Sequence, residues 1–401
     1  MYVIFGEEGT VMDALIWLCL QRALYEEMAE KNSTTSHMSD AMTTTEETQI
    51  TGGNNMSLSL SNILFYFRIA VLVIGVIGTA ANGVITYAMI ASKQHKKHLL
   101  IFNQNALDLF SCIFLAVTYP TKLILNIPLT GSLGYWLCTL FISDAFIWVG
   151  NFGGIINLGI ITIERYLMVV HSAWSKKKLR EWMKYSAMAF TWIGPAVYIA
   201  TMAFSTTTVM HGICLPYAIF KTKYAKFVYY VFHILTFYVV ILFIFILCYG
   251  HILIVIRRQA KVMATHSTPQ SSTTQAQLNQ MQSNVIKTMI FVSAFYAALW
   301  LPYYLLRLPY YLFLLITRLF PIVNMNQPII IAGYYVSVFI AFLYTCMNPF
   351  IYATKFEPVK QVLLRMIPWK KTAEQANANV ASSGRIIPVA AFRAGDARAR
   401  D

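Results

Sequence analysis

Five residues stand out by where they sit. Asn82, Asp108, Glu164, Arg165 and Asn348 each interrupt or close a run that is otherwise apolar. A charged side chain at the centre of a membrane helix costs roughly 2.5 to 3.5 kcal/mol, so residues placed like this mark function. The chemistry they offer is charge pairing and exchange of hydrogen bonds. Glu164-Arg165-Tyr166 sets a guanidinium that cannot lose its charge beside an acid and a phenol. Asn348-Pro349-Phe350-Ile351-Tyr352 and Trp300-Leu301-Pro302 add backbone chemistry, because proline removes a donor and clashes with the preceding turn. A kink is therefore expected at Pro302, with Trp300 half a turn earlier placed to pivot what lies beyond it. Pro349 should free a carbonyl that Asn348 or water can satisfy. Bond-making chemistry is not on offer. His95, His98, His171 and His251 lie at or near the ends of runs, no cluster has metal-ligand spacing, and an enzyme reading fails on that inventory.

The elements that must position these residues follow from composition. The chain has 401 residues, of which 57% are hydrophobic and only 12% charged, far below the roughly 25% charged of a soluble domain. About 20 apolar residues cross ~30 Å of hydrocarbon as a helix. Seven such runs are present: Ile63 to Ile90, Leu99 to Leu125, Trp136 to Val170, Tyr185 to Phe204, Phe227 to Ile256, Val285 to Leu306 and Ile329 to Tyr352. They are apolar on all sides, unlike barrel strands, which alternate. The third, on the order of 44 Å from Trp136 to Arg165, should tilt or protrude. The sequence thus predicts an all-α membrane protein, a seven-transmembrane helix bundle over residues 61–367 that ends in a short amphipathic eighth helix. In that last helix Phe356, Val359, Val362, Leu363 and Met366 recur at spacings of three and four.

Charge orients the bundle. One set of connectors carries Lys93, Lys96, Lys97, Lys176, Lys177, Lys178, Arg180, Lys184, Arg257, Arg258, Lys261 and Lys287, against Lys122, Lys221, Lys223, Lys226, Arg307 and Arg318 on the other. The richer side is cytoplasmic by the positive-inside rule. Residues 368–401 read as a disordered cytoplasmic tail on that side, so the net charge of +14 mostly faces the lipid bilayer and is no nucleic-acid signature. Residues 1–60 read as a disordered extracellular tail. It carries two glycosylation acceptor patterns, at Asn32 and Asn55, and a short apolar stretch, Ala14 to Leu20, that lacks the basic flank of a signal peptide. This places the protein in the plasma membrane as a multi-pass chain. Thr265 to Ser283 reads as a flexible loop.

Seven spans alone would also fit a transporter, but paired half-helices and inverted halves are missing from the pattern. Asn82, Asp108, Glu164-Arg165-Tyr166, Trp192, Tyr249, Trp300-Leu301-Pro302 and Asn348 to Tyr352, in that order, resemble the rhodopsin-like family of G-protein-coupled receptors in every membrane helix. The resemblance covers about Ile63 to Met366. It implies a ligand-triggered exchange factor for heterotrimeric G proteins, in which outward tilt of the sixth helix opens a cytoplasmic cavity. It further implies that Arg165 swings from Glu164 toward Tyr249, Tyr352 and the G protein, and that Cys138 and Cys214 form a disulfide. Asp108, with Asn82 and Asn348 around it, resembles the family's sodium-coordinating acid.

The chain also departs from the family's pattern. Gly154 stands where the third helix usually gives a hydroxyl, and Tyr344 where an asparagine is frequent, which argues against sodium and leaves Asp108 as a polar hub; no other cofactor is expected. Gln282 replaces an acid that faces the arginine in some members. Phe342 holds the position of the retinal lysine, and no lysine lies between Arg318 and Lys355, so a standard opsin is excluded. Amine receptors place an aspartate where this chain has Ile147, and an apolar group cannot offset the desolvation of a cation. Asp144 falls one turn outward and could reach a larger ligand's basic group. Cys138 and Arg165 are 27 residues apart, two more than is common in the family. With Trp148, Tyr303 and Tyr304 in the wall, the ligand expected is an extracellular peptide, the alternative being a biogenic amine or another small molecule. Ser267, Thr268, Ser271, Ser272, Thr273 and Thr274 offer phosphorylation sites for arrestin.

Overall fold

The computed structural model describes residues 47–124, 129–217, 220, 223–266, 286–306, 328–355 and 357–366, with the side chains of 47–60, 176, 223–224, 259–266, 328–330, 355 and 357–358 outside that description. Among the described residues, seven helices are long and apolar enough to cross a membrane: Ser61–Ala91, Leu99–Ile124, Gly131–Val170, Glu181–Thr206, Ala225–Arg258, Ile286–Leu306 and Ile331–Thr354. Each apolar run of the sequence falls on one of them. Their outer faces are lined by exposed large apolar residues, among them Phe65, Val73, Val76, Phe190, Val197, Phe243 and Ile246. Such a belt is stable only against hydrocarbon. Inside, the core runs continuously from Val71 and Leu115 through Phe152 and Ile155 to Tyr296, Trp300 and Phe342.

Three local features differ from the expectation. The first helix begins at Glu47, inside the stretch assigned to a disordered tail; once a helix is nucleated, each further residue adds one backbone hydrogen bond, so polar residues can extend it. The third span is not one straight helix. An α-helical turn, Gly131–Leu137, passes into a wide π-turn, Cys138–Ile142, closed by the Ser143 amide on the Cys138 carbonyl at 2.9 Å. Asp144 then adopts a left-handed conformation, φ 61°, and a new helix runs Ala145–Val170. An uninterrupted 44 Å rod therefore does not form. The fifth span carries a second π-turn, Leu235–Val239, between Lys223–Ile234 and Val240–His266.

Between the fourth and fifth spans a two-stranded hairpin pairs β1, Thr208–Met210, with β2, Ile213–Leu215, in antiparallel register. His211 and Gly212 both have positive φ, as a two-residue turn of the mirror-image type requires. The hairpin presents Cys214 to Cys138, and the two form a disulfide with Cα atoms 5.4 Å apart. After the seventh span a surface helix, Glu357–Met366, buries Val359 and packs Val362 and Leu363 against the core, while Met366 is exposed. Asn32, the loop from Ser267 to Gln282, Arg307, Arg318 and the tail from residue 367 lie outside the described residues, as does the side chain of Asn55.

Candidate functional site

At one end of the bundle, Arg165 lies in the last turns of Ala145–Val170 and pairs with Glu164 at 3.5 Å, with both side chains nearly buried. Thr162, three residues earlier and so on the same helical face, meets the Tyr249 hydroxyl of the fifth span at 3.0 Å. Ser293 of the sixth span donates to that same hydroxyl at 3.4 Å. Tyr249 thus ties the third, fifth and sixth spans together one turn above Arg165. Tyr352 is fully buried nearby in the seventh span, and Tyr166 meets His251 at 3.2 Å. His98, just before the second span, is largely buried beside the same end. Burial, and then the charges of Arg165, Lys97 and Lys184, push its imidazole down to about 4.

The polar hub lies deeper. Asn348 donates to Asp108 at 2.7 Å, and Gln104, one turn before Asp108, donates to it at 3.3 Å. A Cβ on Gly154 would come within 2.9 Å of the Gln104 amide nitrogen, so the place of the family's hydroxyl is filled by a donor from the second span. Two amide donors thus meet this carboxylate, one from its own helix and one from the seventh span. Asn82 does not touch Asp108. It donates to the Gly78 carbonyl at 2.9 Å and to the Thr345 carbonyl at 3.0 Å. Thr345 lies four residues before Pro349, so this is the carbonyl that the proline leaves without a donor. The first span supplies what Asn348 or water was expected to give.

A second network went unnoticed in the sequence. Asn103 donates to Asn157 at 3.0 Å and to Thr191 at 2.9 Å, and accepts from the Trp192 indole at 2.9 Å. Asn157 donates to Gln104 at 3.0 Å, which joins this cluster to the hub. Its amides stand in runs that read as apolar overall; their shared depth across the second, third and fourth spans was the signal available. There a Cβ on Gly153 would fall 2.5 Å from the Thr191 carbonyl, a close approach that only glycine permits.

Above the hub is an aromatic floor. Trp148 packs on Phe152, Tyr303, Phe342 and Trp300, at ring separations from 5.4 to 6.4 Å. Trp300 in turn meets Tyr303 and Tyr304 at 5.7 and 5.9 Å. The sixth span holds Pro302 in the turn beside Trp300, and Tyr238 donates to the Ala297 carbonyl at 3.1 Å just before it. Phe237, Tyr198 and His233 extend the floor toward the fifth span, again residues that the sequence reading did not single out. Ile147 is fully buried. Asp144 is not on a continuous face with it, because the helix starts anew between them; its carboxylate is bound by Lys122 at 2.6 Å.

A family model described as 7 transmembrane receptor (rhodopsin family) matches residues 81–352, from the turn of Asn82 to Tyr352. The crystal structure of squid rhodopsin is similar in fold, with a TM-score of 0.59 and 16% sequence identity over 81% of this chain and 92% of the squid chain. No curated protein matches the chain in sequence.

Proposed function

We propose, from the premise that the chain belongs to the rhodopsin family of seven-transmembrane receptors, that it answers an extracellular peptide. Members of that family signal through G proteins and are not enzymes, so this is a multi-pass receptor of the plasma membrane. Its N-terminus lies outside the cell by the charge of its connectors. The observation that supports a peptide is the state of the acids near the pocket. Ile147 is buried and apolar, and Asp144 is neutralised by Lys122. A monoamine entering there would lose its hydration with no carboxylate free to replace it. A peptide can instead spread over the aromatic floor and the basic mouth.

On this reading, ligand pressure on Trp148 reaches Trp300, and the sixth helix swings about Pro302. Tyr249 then leaves Thr162 and Ser293, and Arg165 leaves Glu164 for the G protein. Arrestin follows on phosphates added between Ser267 and Thr274. Asp108 serves as a hub without sodium.

The test is a library screen with nucleotide exchange as readout. Peptide agonists are expected first, and Arg165→Ala should keep the receptor at the cell surface while abolishing agonist-driven exchange. Unchanged exchange would overturn the role of Arg165. A monoamine agonist whose potency vanished in Asp144→Asn would overturn the peptide reading.

A further inference from the structure

The end of the bundle that carries the disulfide holds a charge imbalance. Lys122, near the end of the second span, reaches Asp144 at 2.6 Å and lies 4.7 Å from the centre of the Tyr119 ring. Arg68, two turns into the first span, donates one Nη1 hydrogen to the backbone carbonyl of Lys122 at 2.9 Å. Among the described residues no carboxylate pairs with Arg68, and its electrostatic neighbours are Tyr335, Tyr119 and Asp144. Phe67 packs between Tyr119 and Tyr335, closing the floor of this corner. Two cations thus share one anion between the first, second, third and seventh spans, in a setting where Lys122 and Asp144 expose only 14% and 18% of their side chains.

The sequence sharpens the imbalance. Residues 123–135, 205–226 and 305–330, which connect the spans at this end, contain no aspartate or glutamate, while Lys221, Lys223, Lys226, Arg307 and Arg318 add positive charge. The connectors at the mouth are therefore positive and favour anions locally, against the acidic stretch that precedes the first span. At its base waits a guanidinium with four N–H groups beyond the one already used, in the fork geometry that a carboxylate fits.

We infer that Arg68, seconded by Lys122, anchors a carboxylate of the diffusible ligand in the corner between the first, second and seventh helices. The inference rests on the receptor reading above and names the group by which the ligand is held: an anion, with Asp144 as the internal carboxylate it works against. An acidic ligand shares Lys122 with Asp144 and takes Arg68 outright. Removing Asp144 should therefore strengthen binding of acids and removing Arg68 should weaken it.

The experiment uses the full-length receptor in phosphatidylcholine nanodiscs and affinity selection from two matched libraries. One holds short peptides and the other small organic acids, every member present both as the free acid and as the primary carboxamide. Binders should be enriched as free acids by about tenfold or more, the size of one charge-assisted hydrogen bond. Arg68→Gln should abolish the enrichment, Arg68→Lys should retain most of it, and Asp144→Asn should increase it. Arg68→Lys also guards against misfolding, since it keeps the charge in place. Equal binding of acids and amides, or an enrichment untouched by Arg68→Gln, overturns the anchor. So does an enrichment that disappears when phosphatidylserine is added, because the site then belongs to a lipid headgroup. Peptides that bind equally as amides would leave the peptide reading standing without the anchor; organic acids that bind while peptides do not would leave the anchor and remove the peptide.

Discussion

The two halves of this bundle are held together by different forces. The inner half, around Asp108 and Arg165, is tied by amides: Asn82, Asn103, Gln104, Asn105, Asn157 and Asn348 each donate to a partner on another element or to a nearby acid. The outer half is tied, among the described residues, by a disulfide, an ion pair and packed aromatic rings. Amide contacts are individually small and can be exchanged one for another, which suits a switch. A covalent bond resists exchange, and a half-buried ion pair yields only to another charge, which suits a mouth that must hold its shape while the ligand arrives.

The largest expected effect breaks the outer half. Cys214→Ser opens a loop closed across 76 residues, and should cost about 4 to 5 kcal/mol in the chain-entropy model. It should appear as a marked drop in the melting midpoint of purified receptor and in surface expression. A midpoint equal to that of the parent would remove the disulfide from the frame.

A smaller loss is expected from the inner half. Asn82→Ala leaves the Thr345 carbonyl without its donor and should cost about 1 to 3 kcal/mol. Because Pro349 is the reason that carbonyl is unpaired, Pro349→Ala restores an amide hydrogen next to it. The double variant should therefore be less destabilised than the sum of the two single changes. Strict additivity in such a cycle would contradict the pairing of Asn82 with the kink.

The seven spans and the polar residues that interrupt them were legible in the sequence because hydrophobic length and costly polar residues leave a strong trace. Glu164 pairs with Arg165 as their charges suggested, and Asp108 with Asn348 and Cys138 with Cys214 meet as the family resemblance implied. What was hidden depends on registration between helices. That Asn82 reaches Thr345, or that Arg68 reaches Lys122, follows from how far one helix is shifted along another, and neither helix records that shift alone. The break at Asp144 was hidden for a local reason. A π-turn followed by one left-handed aspartate has no composition of its own, and only the two extra residues between Cys138 and Arg165 hinted at it.

Acid should act on the inner half first. The His98 imidazole, lowered from the usual 6.5 to about 4 chiefly by burial, is neutral in the folded receptor while the unfolded chain takes up its proton. Its contribution to stability is therefore full above about 6.5 and is lost as pH falls from there toward 4. After screening this amounts to on the order of 1 kcal/mol. His98→Gln should flatten that part of the stability profile; an unaltered profile would mean another group is responsible. The smallest effect concerns sodium. Exchanging sodium for choline should leave the melting midpoint where it is, since Gln104 and Asn348 already occupy the Asp108 carboxylate. A sodium-specific rise would show that these amides yield to a cation.

The broken third span has a further consequence, one of phase. Two additional residues in an uninterrupted helix would turn everything beyond them by about 200°, carrying Thr162 away from Tyr249 and Gly154 away from Gln104. Here the wide turn at Cys138–Ile142 and the single left-handed residue at Asp144 take up the surplus before Ala145 begins. They work as an expansion joint: the mouth of the receptor can gain or lose length at this point while the shaft below keeps its rotational setting.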